Sequence, residues 1–171
     1  AAAFGVSVVL IEKHKMGGDC LNYGCVPSKA LIAAAKRAHI MRSAAPFGIR
    51  PVEPLVDFAA VNDHVRNVIA AIAPNDSVER FTGMGVPVIQ AAGRFVDSDT
   101  VVAGEHRIKA RRFIVATGST AFVPPIPGLS DVPYFTNETI FDNRLPLEHL
   151  IVIGGGPIGM ELAQAHVRLG C

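Results

Sequence analysis

Gly17-Gly18-Asp19-Cys20-Leu21-Asn22-Tyr23-Gly24-Cys25-Val26-Pro27-Ser28-Lys29-Ala30-Leu31 is the stretch from which the rest of this 171-residue chain can be read. Two cysteines stand four residues apart, just ahead of an apolar run with helical character. Pro27 suits the first turn of that helix, where a missing N–H removes no hydrogen bond. Cys25 therefore falls at or next to the N-cap, facing unpaired backbone N–H groups and the positive end of the helix dipole. Such a setting lowers a thiol pKa and favours the reactive thiolate. Cys20 can reach Cys25 across the intervening loop, so the pair can cycle between dithiol and disulfide. Lys29 lies one helical turn beyond Cys25 on the same face and adds a fixed positive charge near the sulfurs.

A second signal closes the chain. Leu150-Ile151-Val152-Ile153-Gly154-Gly155-Gly156-Pro157-Ile158-Gly159-Met160-Glu161 reads as a short apolar strand, a Gly-x-Gly-x-x-Gly turn and the start of a helix. A lone glycine fingerprint is weak, but one placed between strand and helix is much stronger. Gly154 makes the tight turn, Gly156 admits a pyrophosphate and Gly159 lets helix and strand pack closely. The residue that separates NAD from NADP belongs to the next strand, so that choice stays open.

Between these signals the chain alternates helices and strands. Residues 1–5 read as the last turn of a helix with Gly5 as its stop. Residues 6–11 read as a β-branched, buried parallel strand. Glu12 follows, where a βαβ dinucleotide unit carries the acid that hydrogen-bonds the ribose hydroxyls. Taken alone, Glu12 reads equally well as a solvated acid ending a strand; the cysteine segment just beyond Lys15 favours the ribose reading. A helix is expected over 29 to about 42, rich in good helix formers. A second, capped by Asp57, runs to about 73 with Val61, Val65, Val68, Ile69 and Ile72 on one face. Asp76 is expected to cap a short helix ending at Gly83 and Gly85. Short strands over 86–89, 94–96, 100–102 and 107–109, with turns between, read as a small meander. Residues 113–119, Phe-Ile-Val-Ala-Thr-Gly-Ser, read as a buried strand running into a glycine turn. A stiff proline-rich connector and a short helix near 136–141 lead to the last strand.

The cysteine segment resembles the redox-active disulfide segment of the flavin-dependent pyridine nucleotide–disulfide oxidoreductases, in the branch of dihydrolipoamide dehydrogenase, mercuric reductase and glutathione reductase. The resemblance implies an α/β chain: an incomplete FAD/NAD(P)-binding Rossmann-like fold, a doubly wound parallel sheet with a small antiparallel meander. It divides the chain into an FAD-binding domain over 1–147, lacking its first strand and Gly-x-Gly-x-x-Gly, and the start of an NAD(P)-binding domain over 148–171. The missing glycines and the helix they open hold the pyrophosphate, so a chain beginning at Ala1 is expected to hold FAD weakly. FAD is expected to meet Glu12, Gly17, Gly18, Asp19, Cys20, Cys25, Lys29, Gly93, Ala116, Thr117 and Gly118, and NAD or NADP to meet Gly154, Gly156 and Gly159. Cys25 is implied as the flavin-facing sulfur and Cys20 as the interchange sulfur. Glu161 reads plainly as an acid in the first turn of its helix, worth ~0.3–1 kcal/mol with the dipole; the resemblance implies that it pairs with Lys29. The implied activity passes electrons between NAD(P)H, FAD and the cysteine pair to a small-molecule disulfide or dithiol, such as lipoamide, or to mercuric ion. These two substrates fit the segment equally. The family's His–Glu base belongs to a C-terminal domain supplied by a partner subunit, so the parent enzyme is expected to be a homodimer. None of His14, His39, His64, His106, His149 or His166 replaces that base, so the chain alone is expected to be catalytically silent.

Composition limits the alternatives. Half the residues are hydrophobic and 18% are charged, enough for a sizeable core. A net charge of +1 makes no case for nucleic acid or an anionic membrane. Three cysteines do not form a secreted disulfide framework, and a redox pair fits a reducing, cytoplasmic setting and a role in redox homeostasis. The opening apolar run is too short to span a bilayer, and no cationic region marks it as a signal peptide. The two ends read as an internal piece of a longer enzyme. The competing class is a structural zinc domain built on Cys20, Cys25 and a histidine, which needs a second ligand pair that the sequence does not show.

Overall fold

A computed structural model describes residues 1–171. The helices are α1 (Gly18–Asn22), α2 (Cys25–Arg42), α3 (Phe58–Ile72), α4 (Val78–Gly83) and α5 (Pro157–Arg168). The strands are β1 (Leu10–Ile11), β2 (Val88–Ile89), β3 (Gly93–Phe95), β4 (Thr100–Ala103) and β5 (His106–Lys109). They fall into two compact units. One holds Ala1–Asp19 and Ile72–Ser119; the other holds Cys20–Ala71 and Thr120–Cys171.

In the first unit β1 pairs in parallel with β2, Leu10 opposite Val88 and Ile11 opposite Ile89. Strands β3, β4 and β5 form the expected antiparallel meander. Its middle strand is the buried one: Thr100, Val101 and Ala103 are enclosed, as β-branched and small residues on a covered strand should be. Ser77, one residue beyond the expected Asp76, caps α4: its Oγ accepts from the Arg80 amide at 3.1 Å. A serine oxygen reaches the N3 amide from the N-cap, whereas Asp76 still belongs to the preceding 3-10 turn.

The second unit is helical. Its core joins Ala30, Leu31 and Ala35 of α2, Phe58 and Val65 of α3, Ile140 and Phe141, and Ala165 and Leu169. The alanines let α2 and α5 approach closely. Asp57 caps α3 as expected, accepting from the Ala60 amide at 3.0 Å. Two polar groups are enclosed in this core. Asn62 donates to the carbonyls of Phe141 and Asn143. His166, 2% exposed, lies against Phe58 and donates from Nδ1 to the Leu162 carbonyl at 2.9 Å. Burial holds its imidazole below the ordinary pKa, against the opposite pull of that carbonyl. Arg42 ties α2 to the C-terminal end of α5 through the Arg168 carbonyl at 2.6 Å, and also pairs with Glu53. That hydrogen bond holds the Glu53 carboxyl below its usual range.

Three expected strands differ. Of 6–11, only Leu10 and Ile11 pair, and Val6 and Val9 are exposed. Residues 113–119 and 150–153 form no strand, with Ile114 90% and Ile151 78% exposed. A strand exists through its neighbours' hydrogen bonds, and no segment of the chain pairs with these two. Both segments are apolar as expected, but they are unpaired and largely exposed. No helix is long and apolar enough to cross a membrane.

Candidate active site

Cys25 is the first residue of α2, with Gly24 as N-cap. The Ser28 amide makes the first helical bond, to the Gly24 carbonyl at 3.1 Å. The amides of Cys25 and Val26 therefore have no acceptor within the helix, and Pro27 has none to satisfy. Pro27 itself is buried, fixing the first turn against the core. Cys20 sits within α1 rather than in a loop, and only Tyr23 and Gly24 separate α1 from α2. Both cysteines are exposed.

Lys29 is one turn beyond Cys25. Its Nζ lies 2.8 Å from both Glu161 carboxylate oxygens. The Lys29 side chain is 61% and the Glu161 side chain 39% exposed, so the pair stands at the surface of the helical unit. Glu161 is the fifth residue of α5, beyond the first turn, so the dipole reading of it does not hold and the ion pair is its main contact. This pair joins the helix that starts at Cys25 to the helix that starts at the glycine turn.

The glycine turn has distinct geometry at each position. Gly154 has φ +118°, a conformation that disfavours side chains. Gly156 is the N-cap of α5, and a Cβ there would stand in open space. At Gly159 a Cβ would lie 2.3 Å from the Gly154 carbonyl oxygen and 3.2 Å from Val152 Cγ1. The first helical bond runs from the Met160 amide to Gly156, leaving the Ile158 and Gly159 amides without helical acceptors. An open approach to bare amides at a helix start suits a pyrophosphate.

In the first unit, Glu12 follows β1 as expected. Its Oε1 accepts from the His14 amide at 2.7 Å, so the carboxylate also closes its own turn. Gly17 and Gly18 both have positive φ. Gly93 pairs with Ala103 and lies against Ile11. Ala116, Thr117 and Gly118 are exposed. Asp19 Oδ2 accepts from the Ser119 amide at 3.0 Å. Ser119 was not among the expected site residues; nothing local marks an amide whose partner is 100 positions away. No group of three or more His, Cys, Asp or Glu side chains is arranged to hold a metal ion.

The structure thus brings Cys25, Lys29, Glu161 and the glycine turn into one packed unit. It brings Asp19 and Gly118 together in the other. The protein-family model for pyridine nucleotide-disulphide oxidoreductase matches residues 1–171. The mercuric reductase of Acidithiobacillus ferrooxidans is 39% identical over 97% of this chain and 32% of its own length. The dihydrolipoyl dehydrogenase of Haloferax volcanii is 35% identical over 99% of this chain and 37% of its own length. Among solved structures, the HOCl-induced flavoprotein disulfide reductase RclA from Escherichia coli superposes with a TM-score of 0.81 at 25% identity, over 99% of this chain and 36% of that one. The chain spans about a third of the length of the curated relatives it matches. The family uses FAD and NAD(P)H. Its likeness in fold, and a family match over all 171 residues, settle the membership: this chain belongs to the pyridine nucleotide–disulphide oxidoreductase family.

Proposed function

We propose that this chain is part of a flavin-dependent oxidoreductase that passes electrons between NAD(P)H, FAD and the Cys20/Cys25 pair, reducing a small-molecule disulfide or mercuric ion, or oxidising a small-molecule dithiol in the reverse direction. The observation that carries the reading is the Lys29–Glu161 pair. It ties the helix opened by Cys25 to the helix opened by the glycine turn at 2.8 Å.

FAD, when bound, supplies the exchange of a hydride with the nicotinamide and of an electron pair with the disulfide. The chain's residues do the rest. Glu12 binds the ribose hydroxyls, and Gly17, Gly18, Gly93, Ala116, Thr117 and Gly118 give backbone close to the cofactor. Gly154, Gly156 and Gly159 build the turn for NAD or NADP. The relevant domains are 1–147 for FAD and the start of a nucleotide domain at 148–171. Reduction of the Cys20–Cys25 disulfide takes two electrons and one proton and breaks the S–S bond, leaving one thiol and one thiolate. Cys25, at the helix start, keeps its sulfur as thiolate; Cys20 exchanges with the substrate. Lys29 stabilises that thiolate, and Glu161 holds the Lys29 ammonium in place. For this two-electron couple ~30 mV corresponds to ~1.4 kcal/mol, so one well-placed charge alters the balance. A working dithiol fits a reducing cytoplasm, and we expect the parent enzyme to act there as a homodimer.

The test is spectroscopic. The intact parent enzyme, loaded with FAD and given two electrons, should show a long-wavelength thiolate-to-flavin absorbance. Cys20→Ser keeps the band and Cys25→Ser loses it; a band that survives Cys25→Ser overturns the assignment of the sulfurs. In the parent enzyme, oxidation of NADH or NADPH with mercuric ion or lipoamide as acceptor decides the substrate.

A further inference from the structure

We infer that Asp19 is a positioning residue: its carboxylate fastens the turn at Gly118-Ser119 to the residue that precedes Cys20, so that the part in FAD binding expected of Asp19 is exerted through that turn. This rests on the flavoprotein reading above.

Two observations converge on it. Asp19 Oδ2 accepts from the Ser119 amide at 3.0 Å. A Cβ at Gly118 would lie 2.7 Å from the same oxygen and 3.3 Å from the Asp19 carboxyl carbon. Gly118 also has φ +71°, so the turn both needs glycine for its bend and needs it to seat the carboxylate. Residues 113–117 form no strand, and their neighbours Ile114 and Val115 are exposed. Nothing in a sheet ladder holds the end of this segment. The hydrogen bond that the Ser119 amide donates to Asp19 holds the end of this segment instead. The charge argument points the same way. A dinucleotide carries a dianionic pyrophosphate, and a carboxylate turned toward it is repelled. A carboxylate oriented to a backbone amide keeps a charge-assisted hydrogen bond within the protein instead.

Three forms of the chain test this: wild type, Asp19→Ala and Asp19→Asn, the last keeping an acceptor oxygen without the charge. Exchange of the Ser119 amide is measured without cofactor, and FAD affinity by quenching of flavin fluorescence. Asp19→Ala should speed Ser119 exchange and weaken FAD by about tenfold, which is ~1.4 kcal/mol. Asp19→Asn should restore the amide's protection and bind FAD as tightly as wild type or tighter. All three should melt together, since the bond is exposed. Unchanged exchange in Asp19→Ala, or unchanged FAD affinity in that variant, overturns the inference. Weakened FAD binding in Asp19→Asn also overturns it, because the charge itself then serves the cofactor. Because this chain is expected to hold FAD weakly, the FAD titrations use the longer parent enzyme; a wild-type parent that takes up no FAD, with Ser119 still protected, refutes the flavoprotein reading itself and the inference with it. That outcome differs from the others because the hydrogen bond survives.

Discussion

Substituting alanine at each glycine of the Gly154-Gly155-Gly156-Pro157-Ile158-Gly159 turn separates the residues that build it from the one that admits a ligand. At Gly159 the added methyl would start 2.3 Å from a backbone oxygen, about 0.7 Å inside the 3.0 Å that real Cβ atoms keep. The obstacle is the Gly154 carbonyl, which cannot rotate away as a side chain could. Either the turn opens or α5 slides along α2. Overpacking of this kind costs ~1–3 kcal/mol, and a backbone obstacle places Gly159→Ala near the upper end. At ~2–4 °C per kcal/mol for a chain of this size, the helical unit should melt roughly 5–10 °C lower. Gly154→Ala meets no neighbour but must hold φ +118°, a strain of ~1–3 kcal/mol. Gly156→Ala points into open space and should change melting by less than ~1 kcal/mol, the modest difference between glycine and alanine at an N-cap. The assay is thermal unfolding followed by the far-ultraviolet helix signal, repeated with NAD or NADP. Gly156→Ala should be near wild type alone yet lose the shift that the nucleotide gives. If Gly159→Ala melts within about 1 °C of wild type, the contact of α5 with its own turn is not the constraint argued for it.

Three further outcomes follow from other contacts. Lys29→Met and Glu161→Gln should show a coupling of ~0.5 kcal/mol in a double-mutant cycle at low salt, small because both side chains are partly exposed. It should shrink at ~1 M salt, where screening acts over ~3 Å; additive single mutants would remove the pair from the site. Gly118→Ala should reproduce the fast Ser119 exchange of Asp19→Ala, and combining the two should relieve the steric part of its cost; a fully additive pair contradicts the 2.7 Å approach. For His166, burial lowers the folded pKa below the ordinary 6.5, so the unfolded chain binds the proton first. Its contribution to stability is complete above about pH 6.5 and is lost as pH falls through the lowered value. Melting temperature should therefore drop below pH 6.5, and His166→Asn, whose amide nitrogen takes the place of Nδ1 toward Leu162, should flatten that drop; identical pH profiles for the two proteins exclude His166 as the source.

What the sequence revealed sorts by how far each signal reaches. Pro27 in a first turn, Asp57 at an N-cap and Gly5 after a terminal turn are local signals, and each stands where it was expected. The meander was also legible, because its turns at 97–99 and 104 lie within a few residues of the strands they join. The strands over 113–119 and 150–153 were misread for the opposite reason. A run such as Phe-Ile-Val-Ala shows that a segment is apolar, but pairing is decided elsewhere in the chain. Helix α4 shows the resolution limit at short range, where Asp76 and Ser77 are both competent caps and only backbone geometry chooses between them.

The two long-range contacts of the candidate site make the same point more sharply. Lys29 and Glu161 are 132 positions apart and Asp19 and Ser119 are 100 apart. Neither pair leaves a trace in local pattern, yet the first was expected and the second was not. The difference is chemical. Lys29 and Glu161 are both charged side chains at recognisable places in two motifs, so a family resemblance carries them as residues. Ser119 contributes only its amide, and any residue but proline could supply that. What identity does constrain there is Gly118, since a side chain at that position would meet the Asp19 carboxylate at 2.7 Å. The glycine of an Ala-Thr-Gly-Ser turn is therefore the visible half of the Asp19 contact.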